Sequence, residues 1–389
     1  MFLLRIIGVL ISLGWIYAFF RSIRAMQRKK FELSKNAPKA ILGPCVSIVI
    51  PARNEERNIE QCVRSALAQD YERTEVIVLD DASQDNTPHV LQALKEEFPQ
   101  LIIVHGEGAP LPDNWFGKPW ALERAQQHAS GEWLLFVDAD VVLEPEAISR
   151  CLHYAFHHDL EMLTGLGTLT MESFWEKVLQ PAIGGLILAG NSLSKVNDHM
   201  QKDHNLANGQ FILISRMAYE KVGRHGAVRN DILDDIGLAR ALARHELPYH
   251  CLHLQELFSC RMYTSFSEIW QGWTKNLFAG LRYSWRNLIA TILFTYLFSS
   301  LGITLLLACL LLGGCGEEVL FWGIILTILP ISMRLLMDIR RQQNPLYSCT
   351  HPFANILVCF LLINSALHST KGTVQWKGRT YKPQSTENE

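Results

Sequence analysis

The chain lacks the sequence patterns of several common functional classes. Its nine cysteines and 14 histidines form no CxxC or HExxH pattern, which argues against a zinc site. No GxSxG occurs, so a hydrolase with a nucleophile elbow has no support. The 36 Lys and Arg residues nearly balance the 38 Asp and Glu residues, which gives a nucleic-acid partner no electrostatic support.

Structural disulfides are not expected either. The cysteines are scattered, and several, including Cys309 and Cys359, lie in apolar runs where Cys packs as a small hydrophobic side chain. We therefore predict reduced cysteines, as is usual for a catalytic domain in the cytoplasm.

The N-terminal segment has the composition of a membrane helix. Residues 2–20 are apolar apart from Arg5, which is about the 20-residue length needed to cross a bilayer. A cleaved signal peptide is the alternative, but no A-x-A-like site follows and the basic residues come after the apolar run. We predict a membrane anchor over residues 1–22, with the following residues in the cytoplasm.

The C-terminal region, residues 287–369, is also predicted to lie in the membrane. It contains apolar runs at residues 288–313, 319–333 and 353–367. The arginines before the third run and the basic residues of the polar tail, 370–389, both favour the cytoplasm. Three full crossings cannot satisfy both signals, so the third run is a candidate in-plane or re-entrant helix. The expected location is the inner (cytoplasmic) membrane, as a multi-pass protein with a cytoplasmic catalytic domain.

Between the membrane segments, residues 45–276 are predicted to form the catalytic domain. Apolar runs of strand length alternate with helical patterns, which is typical of an α/β domain with a mostly parallel sheet. A dinucleotide-binding Rossmann domain is one alternative, but Pro51-Ala52-Arg53-Asn54-Glu55 follows the first strand instead of GxGxxG. The predicted strands cover residues 46–50, 76–79, 101–104, 133–137 and 211–215, and the predicted helices cover residues 55–69, 87–98, 118–128, 145–157 and 230–244.

Two short acidic clusters each follow an apolar strand-like run. The first is Asp80-Asp81, and the second is Asp138-Ala139-Asp140. Open α/β sheets bind ligands outside the carboxyl ends of their strands, so these carboxylates are candidate site residues. Asp138 and Asp140 face the same way along an extended chain, and their hard oxygens suit Mg²⁺ or Mn²⁺ with bound phosphates.

Each cluster also has a simpler structural explanation. A DxD sequence occurs in solvated turns, and the polar residues after Asp81 are good helix caps. Both explanations can hold if Asp85 or Thr87 caps a helix while Asp80 or Asp81 faces the ligand. A carboxylate beside a pyrimidine edge would accept its N–H and so select the base.

A third acidic pair, Asp234-Asp235, lies well downstream. The structural interpretation is that the pair lies at a helix N-terminus, where negative charge is favourable. The functional interpretation is a general base, because a sugar acceptor's hydroxyl is a poor nucleophile until a carboxylate takes its proton.

Two lysines lie near tryptophans. Lys118 lies between Trp115 and Trp120 at a predicted helix start, where a phosphate contact is favoured. Trp273 and Lys275 precede the C-terminal membrane region, where tryptophans often form an interfacial belt. Alternatively, Lys275 neutralises a leaving diphosphate and Trp273 forms a wall for sugar or acceptor.

The apolar segment 174–194 contains several glycines and is too short and too interrupted to span a membrane. A buried helix and an interfacial helix lying on the bilayer both remain open. We predict that this segment admits a lipid acceptor.

As a set, these motifs resemble a membrane-bound family 2 glycosyltransferase with the GT-A fold. The chain looks most similar to bacterial carotenoid glycosyltransferases in the segments around Asn208, Arg261, Gly272 and Trp376. It is also similar to hopanoid-associated glycosyltransferases around Leu111 and Gly117. The matching segments are residues 46–55, 80–87, 138–140, 234–235 and the region of Trp273, in the family's order.

The resemblance implies roles for individual residues. The residues expected to bind the nucleotide sugar are Pro51, Arg53, Glu55, Asp80, Asp81, Lys118, Asp138, Trp273 and Lys275. Asp138 and Asp140 would hold the divalent metal, Mg²⁺ or Mn²⁺, and Asp235, beside Asp234, would be the base. The family often has Glu-Asp where this chain has Asp234-Asp235. The family's Gln-x-x-Arg-Trp is replaced by residues 272–276, which argues against a long processive polymer.

The expected function is an inverting transfer of a hexose from a nucleotide sugar, with UDP-glucose as the expected donor, to a membrane lipid such as a carotenoid. The alternatives are a hopanoid or polyprenyl phosphate acceptor, a polysaccharide synthase of the same fold, and a non-catalytic membrane scaffold. A polymer synthase would need more pore-forming helices than this C-terminal region offers, and the intact acidic motifs argue against a scaffold.

Overall fold

The computed structural model describes residues 1–28, 30–106 and 111–381. The last part of the predicted polar tail, residues 382–389, lies outside the described residues. The ordered elements comprise an N-terminal helix, an α/β domain and a C-terminal set of helices that ends in a short hairpin.

The α/β domain is built on a seven-stranded sheet. Its strands are β1 (Val46–Ala52), β2 (Thr74–Asp80), β3 (Ile102–His105), β4 (Trp133–Val137), β6 (Met162–Leu166), β8 (Phe211–Ser215) and β9 (Tyr249–His253). The order is β3-β2-β1-β4-β8-β6-β9. Only β8 runs antiparallel to its two neighbours, so the predicted mostly parallel α/β sheet is confirmed.

A second, three-stranded sheet borders the first. It consists of β5 (Val141–Leu143), β7 (Thr168–Leu169) and β10 (Phe258–Cys260), in the order β5-β10-β7. Strand β5 begins immediately after Asp140, and residue 261, just after β10, donates its backbone N–H to the Asp140 carbonyl at 3.4 Å. The small sheet therefore supports the loop that carries the DxD sequence.

Helices cover both faces of the main sheet because its central strands are apolar on both sides. Ile48 and Ile50 of β1 pack into one core and Val49 packs into the other, and all three are fully buried. Near-continuous apolar runs are what a parallel sheet with two covered faces requires. The helices of this domain are α2 (Ile59–Leu67), α3 (Thr87–Glu97), α4 (Gly117–Ala125), α5 (Ala147–His157), α6 (Phe174–Gly190), α7 (Leu193–Val196), α8 (Arg216–Lys221) and α9 (Asp234–Arg244).

The predicted elements of this domain exist, with small shifts at their ends. The strand predicted at 46–50 extends to Ala52, and the helix predicted at 55–69 is shorter, because residues 53–58 form the loop that leads into the cleft. The helix predicted from residue 230 begins at Asp234 instead, since a 3-10 turn at His225–Val228 precedes it. The sequence pattern did not reveal β6 and β9 of the main sheet or the short strands β5, β7 and β10.

Residues 174–194, for which a buried and an interfacial helix were both open, form helix α6 over Phe174–Gly190. Its N-terminus carries a capping box formed by Ser173 and Glu176. One face, including Leu179 and Ile183, packs in a third apolar core with α10 (Phe266–Gly280) and α14 (His351–Thr370). The opposite side is more open, so α6 is a half-buried helix in the layer next to the membrane helices.

Four helices of the described residues are long and apolar enough to cross a membrane, namely Phe2–Arg24, Trp285–Leu311, Glu317–Arg340 and Pro345–Thr370. The first lies in α1 (Phe2–Arg28), and the second comprises α11 (Trp285–Thr295) and α12 (Leu301–Leu311) joined by a π-helical turn. The third is α13, and the fourth consists of a 3-10 turn and α14. These helices match the predicted membrane segments at both termini.

Helices α1 and α13 run side by side with their distal ends away from the catalytic domain. Arg5 donates to the Glu318 carboxylate at 2.9 Å at that distal end. At the other end of α13, Arg334 donates to the Lys177 carbonyl of α6 at 2.8 Å. The loop between α12 and α13 (residues 312–316), here called the distal loop, therefore lies on the side of the membrane helices opposite the α/β domain.

One disulfide corrects the expectation of reduced cysteines. Cys309 and Cys315 are bonded across the distal loop, with their Cα atoms 5.0 Å apart. The prediction was wrong for Cys309 because α12 ends at Leu311 and the following turn folds back onto it. The cysteines of the α/β domain are free thiols, among them Cys62, Cys151 and Cys260.

Helix α14 ends in a feature that the sequence pattern did not predict. Two short strands, β11 (Val374–Trp376) and β12 (Arg379–Tyr381), form an antiparallel hairpin. Lys377 and Arg379 of this hairpin line the cleft of the catalytic domain. At the other end of α14, Tyr347 of the preceding 3-10 turn contacts Phe174 of α6, so both ends adjoin the catalytic domain. An in-plane or re-entrant helix would have this arrangement, and that topology stays a prediction.

Candidate active site

A cleft of about 1390 Å³ lies at the carboxyl ends of β1, β2 and β4. Its lining brings together carboxylates from three separate stretches of the chain. Asp80 does not line it, because its carboxylate accepts the Ser83 N–H at 3.1 Å and shapes the turn after β2. The predicted site residues that line the cleft are Pro51, Arg53, Glu55, Asp81, Lys118, Asp138, Asp140, Asp234, Asp235, Trp273 and Lys275.

One end of the cleft, here called the donor edge, is formed by the loops after β1 and β2 (residues 51–58 and 81–87). The Asn54 N–H donates to Ser83 Oγ at 2.9 Å, and the Glu55 N–H donates to Thr87 Oγ1 at 2.8 Å. Ser83 and Thr87, two of the polar residues that follow Asp81 in the sequence, therefore connect the two loops. Asp81 remains at the cleft, with its backbone N–H bonded to the Ala52 carbonyl.

Asp138 and Asp140 lie at the end of β4, in the middle of the cleft. Lys118, at the start of α4, forms an ion pair with Asp138 at 2.5 Å. Burial opposes a charged Lys118, but Asp138, Asp234 and Asp235 outweigh it and raise its pKa. Lys118 therefore stays protonated, and its charge interacts with Asp138 directly and with the Asp234-Asp235 pair at longer range.

The environment of Asp140 fits a divalent cation. Its Oδ1 atom is buried, and no hydrogen-bond partner for it lies among the described residues. Burial, with the charges of Asp138 and Glu55, raises the pKa of Asp140, and a cation would offset this cost. The described residues contain no group of three or more His, Cys, Asp or Glu side chains arranged to hold a metal alone. Mg²⁺-type sites often use only one or two carboxylates, completed by substrate phosphates and water.

Asp234 and Asp235 form the first turn of α9. Asp235 accepts the Gly209 N–H at 2.9 Å and the Ile236 N–H at 2.8 Å, which fixes both carboxylate oxygens. Burial and the neighbouring Asp234 raise the pKa of Asp235 to about 6, although Lys118 opposes the shift. A carboxylate with a pKa nearer to neutrality is a better general base.

Helix α10 contributes Trp273 and Lys275 from the membrane side of the cleft. The Trp273 indole N–H donates to Gln180 Oε1 at 3.1 Å, which joins α10 to α6. Residue 272 must be glycine for this packing, since a Cβ there would lie 2.2 Å from the Tyr263 hydroxyl. Burial and the charge of Lys118 lower the pKa of Lys275 to about 8.

The cleft opens on an apolar surface beyond α10. This side is lined by Leu186 and Ile187 of α6, Ala290 and Phe294 of α11, and Leu362 of α14. Three of these residues, Ala290, Phe294 and Leu362, belong to helices apolar enough for a membrane. One cavity thus joins an acidic, polar region to an apolar entrance beside the membrane helices.

Several cleft residues were not among the predicted site residues. Asn208 donates to the Gly165 carbonyl at 2.8 Å and fixes the loop that carries Gly209. Lys377 and Arg379 reach the donor edge from the C-terminal hairpin. The segments around Asn208 and Trp376 resembled the family, and that was the only sequence signal for these residues.

Known proteins similar to this chain include enzymes of one family. Residues 47–223 match the family model "Glycosyl transferase family 2". The 4,4'-diaponeurosporenoate glycosyltransferase of Staphylococcus aureus strain MRSA252 is 27% identical over 386 residues, which cover 97% of each chain. The protein of the same name from strain USA300 is 26% identical over 385 residues, again 97% of each chain.

The fold is shared with a solved structure. The mannosyltransferase PcManGT from Pyrobaculum calidifontis, in complex with GDP-Man and Mn²⁺, superposes with a TM-score of 0.53. The match covers 94% of this chain and 98% of that one at 15% identity, so it concerns the fold alone. These comparisons confirm the resemblance and the fold that the sequence motifs indicated.

Proposed function

We propose that this chain, a glycosyltransferase whose residues 47–223 match family 2, transfers a hexose from a nucleotide diphosphate sugar to a membrane lipid. UDP-glucose is the proposed donor, and the hydroxyl or carboxyl group of a carotenoid is the proposed acceptor. The transfer inverts the sugar's anomeric configuration and takes place at the cytoplasmic face of the membrane.

The observation that supports this proposal is the composition of a single cleft. Asp81, Asp140 and Asp235, from three distant stretches of sequence, line the same cavity as the apolar residues Leu186 and Phe294. A polar donor and an apolar acceptor need such a site. The donor has to reach the reacting centre from water, and the acceptor has to reach it from the bilayer.

The donor edge suits a nucleoside. Pro51, Arg53 and Glu55 form one wall, and Asp81 offers carboxylate oxygens that can accept the imino N–H of uracil. Guanine also has N–H groups that a carboxylate accepts, so the choice of UDP is tested below against GDP-mannose.

The middle of the cleft suits the diphosphate. Asp138 and Asp140 would hold Mg²⁺ or Mn²⁺, which, when bound, would neutralise charge on the leaving diphosphate. Lys118 and Lys275 add fixed positive charge from α4 and α10. Removing one such electrostatic contact typically costs about 10²–10³ in rate.

Asp235 is the proposed base. Its two fixed oxygens and raised pKa suit it to take the proton from an acceptor hydroxyl as the oxygen attacks the anomeric carbon. The sugar–phosphate bond breaks as the new glycosidic bond forms, and the nucleoside diphosphate leaves with the electron pair. A carboxylate acceptor is already a nucleophile, and Asp235 would then orient the sugar.

The apolar entrance supports a lipid acceptor. The similar proteins from Staphylococcus aureus are named for diaponeurosporenoate, a carotenoid carboxylate. A carotenoid stays within the bilayer, so the cleft has to open beside the membrane helices, as the lining of α6, α11 and α14 residues allows.

The cytoplasmic orientation rests on charge and redox chemistry. Arg340 and Arg341 lie at the catalytic end of α13, while the disulfide lies at the distal end. Basic residues favour the cytoplasm and disulfides persist outside it, so both observations support a cytoplasmic α/β domain.

The test uses the full chain in detergent or lipid nanodiscs. We expect release of UDP from UDP-glucose that requires Mn²⁺ or Mg²⁺ and rises when a carotenoid carboxylic acid or alcohol is added. GDP-mannose serves as the competing donor. Mass spectrometry of lipids from a deletion strain would then identify the missing glycolipid. No metal-dependent turnover of any nucleotide sugar would refute the proposal, and loss of a hopanoid or polyprenyl glycolipid would correct the acceptor.

A further inference from the structure

The C-terminal hairpin, residues 374–381, occupies part of the donor edge, yet the proposed reaction gives it no role. It follows α14 after only three residues, of which Gly372 has a φ of +62°. The Gly372 and Thr373 N–H groups bond back to carbonyls in the last turns of α14, at 3.2 and 3.1 Å. The start of the hairpin is therefore fixed, and its tip reaches the cleft.

Two ion pairs hold the tip on the donor edge. Arg379 pairs with both carboxylate oxygens of Asp81, with Nη2 lying 3.2 Å from Oδ1. Lys377 pairs with Glu55. These contacts join segments about 300 residues apart, and Asp81 and Glu55 are two of the residues proposed to bind the nucleoside.

A third contact completes this arrangement. Arg53 Nε donates to the Lys377 carbonyl at 3.2 Å, so a third proposed nucleoside residue also contacts the hairpin. With the hairpin in place, the Asp81 side chain is 11% exposed and the Glu55 side chain is 15% exposed. A nucleobase N–H can reach the Asp81 oxygens only if Arg379 moves away.

We infer that the C-terminal hairpin is a strap that closes the donor edge and is displaced by the nucleotide. Donor binding and strap docking exclude each other because both use Asp81. When no nucleotide is bound, the strap keeps the carboxylates of Asp81 and Glu55 paired with basic side chains. Its short tether to α14 gives it a high effective concentration at the donor edge. This inference rests on the proposed function, since it requires that Asp81 and Glu55 receive the donor's nucleoside.

The first experiment measures UDP affinity by calorimetry with Mn²⁺ present, on the full chain. The double variant Lys377→Gln, Arg379→Gln removes both ion pairs. We expect UDP to bind about two- to thirtyfold more tightly, because partly exposed ion pairs contribute modestly to stability. Lys371→Gln is the matched control, since it removes one exposed basic side chain from the same segment, outside the cleft lining.

A second variant leaves all charges in place. Inserting three glycines after Gly372 lengthens the tether and lowers the effective concentration of the strap. We expect UDP to bind about two- to fivefold more tightly. If the double variant binds less tightly only because positive charge was lost, the insertion variant will still bind more tightly than the wild type.

The third measurement follows the strap directly. Trypsin cleaves after Lys377 and Arg379, and cleavage at the exposed Lys35 provides an internal reference. We expect UDP with Mn²⁺ to accelerate cleavage at the strap at least threefold relative to Lys35, because displacement exposes it. Protection of the strap by UDP, with weaker UDP binding in the insertion variant, would overturn the inference and make the hairpin part of the donor site.

The remaining outcomes separate the two proposals. If UDP binds the wild type with no effect at the strap and no change in either variant, the strap is wrong while the proposed donor site stands. If neither UDP nor GDP binds the wild type or the variants, the proposed donor site is wrong and the inference falls with it.

Discussion

Gly209 donates its backbone N–H to Asp235 at 2.9 Å, and this contact holds the proposed base in place. The absence of a side chain at Gly209 also leaves room for the Lys118 ammonium group beside this contact. A Cβ at this position would lie 2.8 Å from Lys118 Nζ and 3.5 Å from Asp235 Oδ2. One glycine therefore sets the spacing between the base and the cation that neutralises the middle of the cleft.

The Gly209→Ala variant should lower turnover about hundredfold, because a displacement of about 1 Å in an aligned site can cost that much. Steady-state release of UDP from UDP-glucose provides the measurement. The matched control is Gly226→Ala, where a Cβ would meet only Trp115 at an ordinary 3.9 Å. The control should stay within about twofold of wild type. Wild-type turnover in Gly209→Ala would show that this contact does not align the base.

The proposed base can be tested separately from donor binding. With a hydroxyl acceptor, Asp235→Asn should reduce lipid glycosylation by about 10²–10⁴-fold, which is the usual contribution of a general base. UDP affinity should stay nearly unchanged, because Asp235 is not at the donor edge. Calorimetry with UDP and single-turnover transfer assays measure the two properties. Retained turnover would make Asp235 a structural residue of α9.

The pH dependence of kcat/KM should be bell-shaped. Asp235 has to be ionised, so the rate should rise with pH through its raised pKa of about 6. Lys275 has to carry its proton, so the rate should fall as pH passes its lowered pKa of about 8. The profile is measured from about pH 5 to about pH 9 at saturating metal.

Lys275→Arg separates the two limbs of this profile. A guanidinium group stays protonated throughout the range, so the alkaline limb should disappear while the acid limb remains. An alkaline limb that persists in Lys275→Arg would assign it to another group.

The metal site predicts an unusual stability change. Burial, Asp138 and Glu55 raise the pKa of Asp140, so its ionised form destabilises the folded protein at any pH above that pKa. Asp140→Asn should therefore raise Tm in EDTA, by about 2–4 °C for a stabilisation on the order of 1 kcal/mol. The same variant should lose the further Tm increase that Mn²⁺ gives the wild type, along with metal-dependent turnover.

Glu75→Gln serves as the control for Asp140→Asn, because the pKa of Glu75 is shifted in the opposite direction. Although burial opposes it, hydrogen bonds from Ser47, Ser130 and the Gly131 N–H lower the pKa of Glu75. Its ionised form thus stabilises the fold above the ordinary carboxyl pKa, and the stabilisation is lost as pH falls through the lowered value. Glu75→Gln should lower Tm yet keep the Mn²⁺ effect. An Asp140→Asn variant that is destabilised and still responds to Mn²⁺ would contradict the metal assignment.

The sequence alone could predict the position of a residue where a polar side chain directly follows a strand pattern or begins a helix. Asp138, Asp140 and Asp235 follow strands or begin a helix, so their position at the carboxyl edge could be predicted from the alternation of apolar runs. Asp80 shows the limit of that approach, since an acidic pair after a strand does not reveal which carboxylate turns back to the backbone.

The residues that could not be predicted depend on long-range contacts. Arg379 meets Asp81 across 298 positions, and no local periodicity indicates such a pair. Cys309 lies in an apolar run, and only the turn after α12 brings it to Cys315. Both contacts depend on how the apolar helices pack and on where the chain turns after each of them. The pattern of apolar residues does not predict either.

The apolar entrance to the cleft can be tested on α6. Leu186 lines the cleft, so Leu186→Asp puts a charge on the path of a lipid acceptor. We expect transfer to a carotenoid to fall at least about tenfold, because burying one leucine side chain contributes about 1.5–3 kcal/mol. Release of UDP to water should stay within about twofold, because the donor edge lies at the other end of the cleft. Both rates are measured with the protein in nanodiscs.

Leu188→Asp is the matched control for this variant. It introduces the same charge on the same helix, two residues further on, and Leu188 is not among the residues that line the cleft. Any general effect of an aspartate on α6 or on its seating at the membrane should appear in both variants. A loss of carotenoid transfer confined to Leu186→Asp would support an acceptor path along this face. Equal losses of transfer and of UDP release in Leu186→Asp would mean that α6 only supports the fold of the catalytic domain.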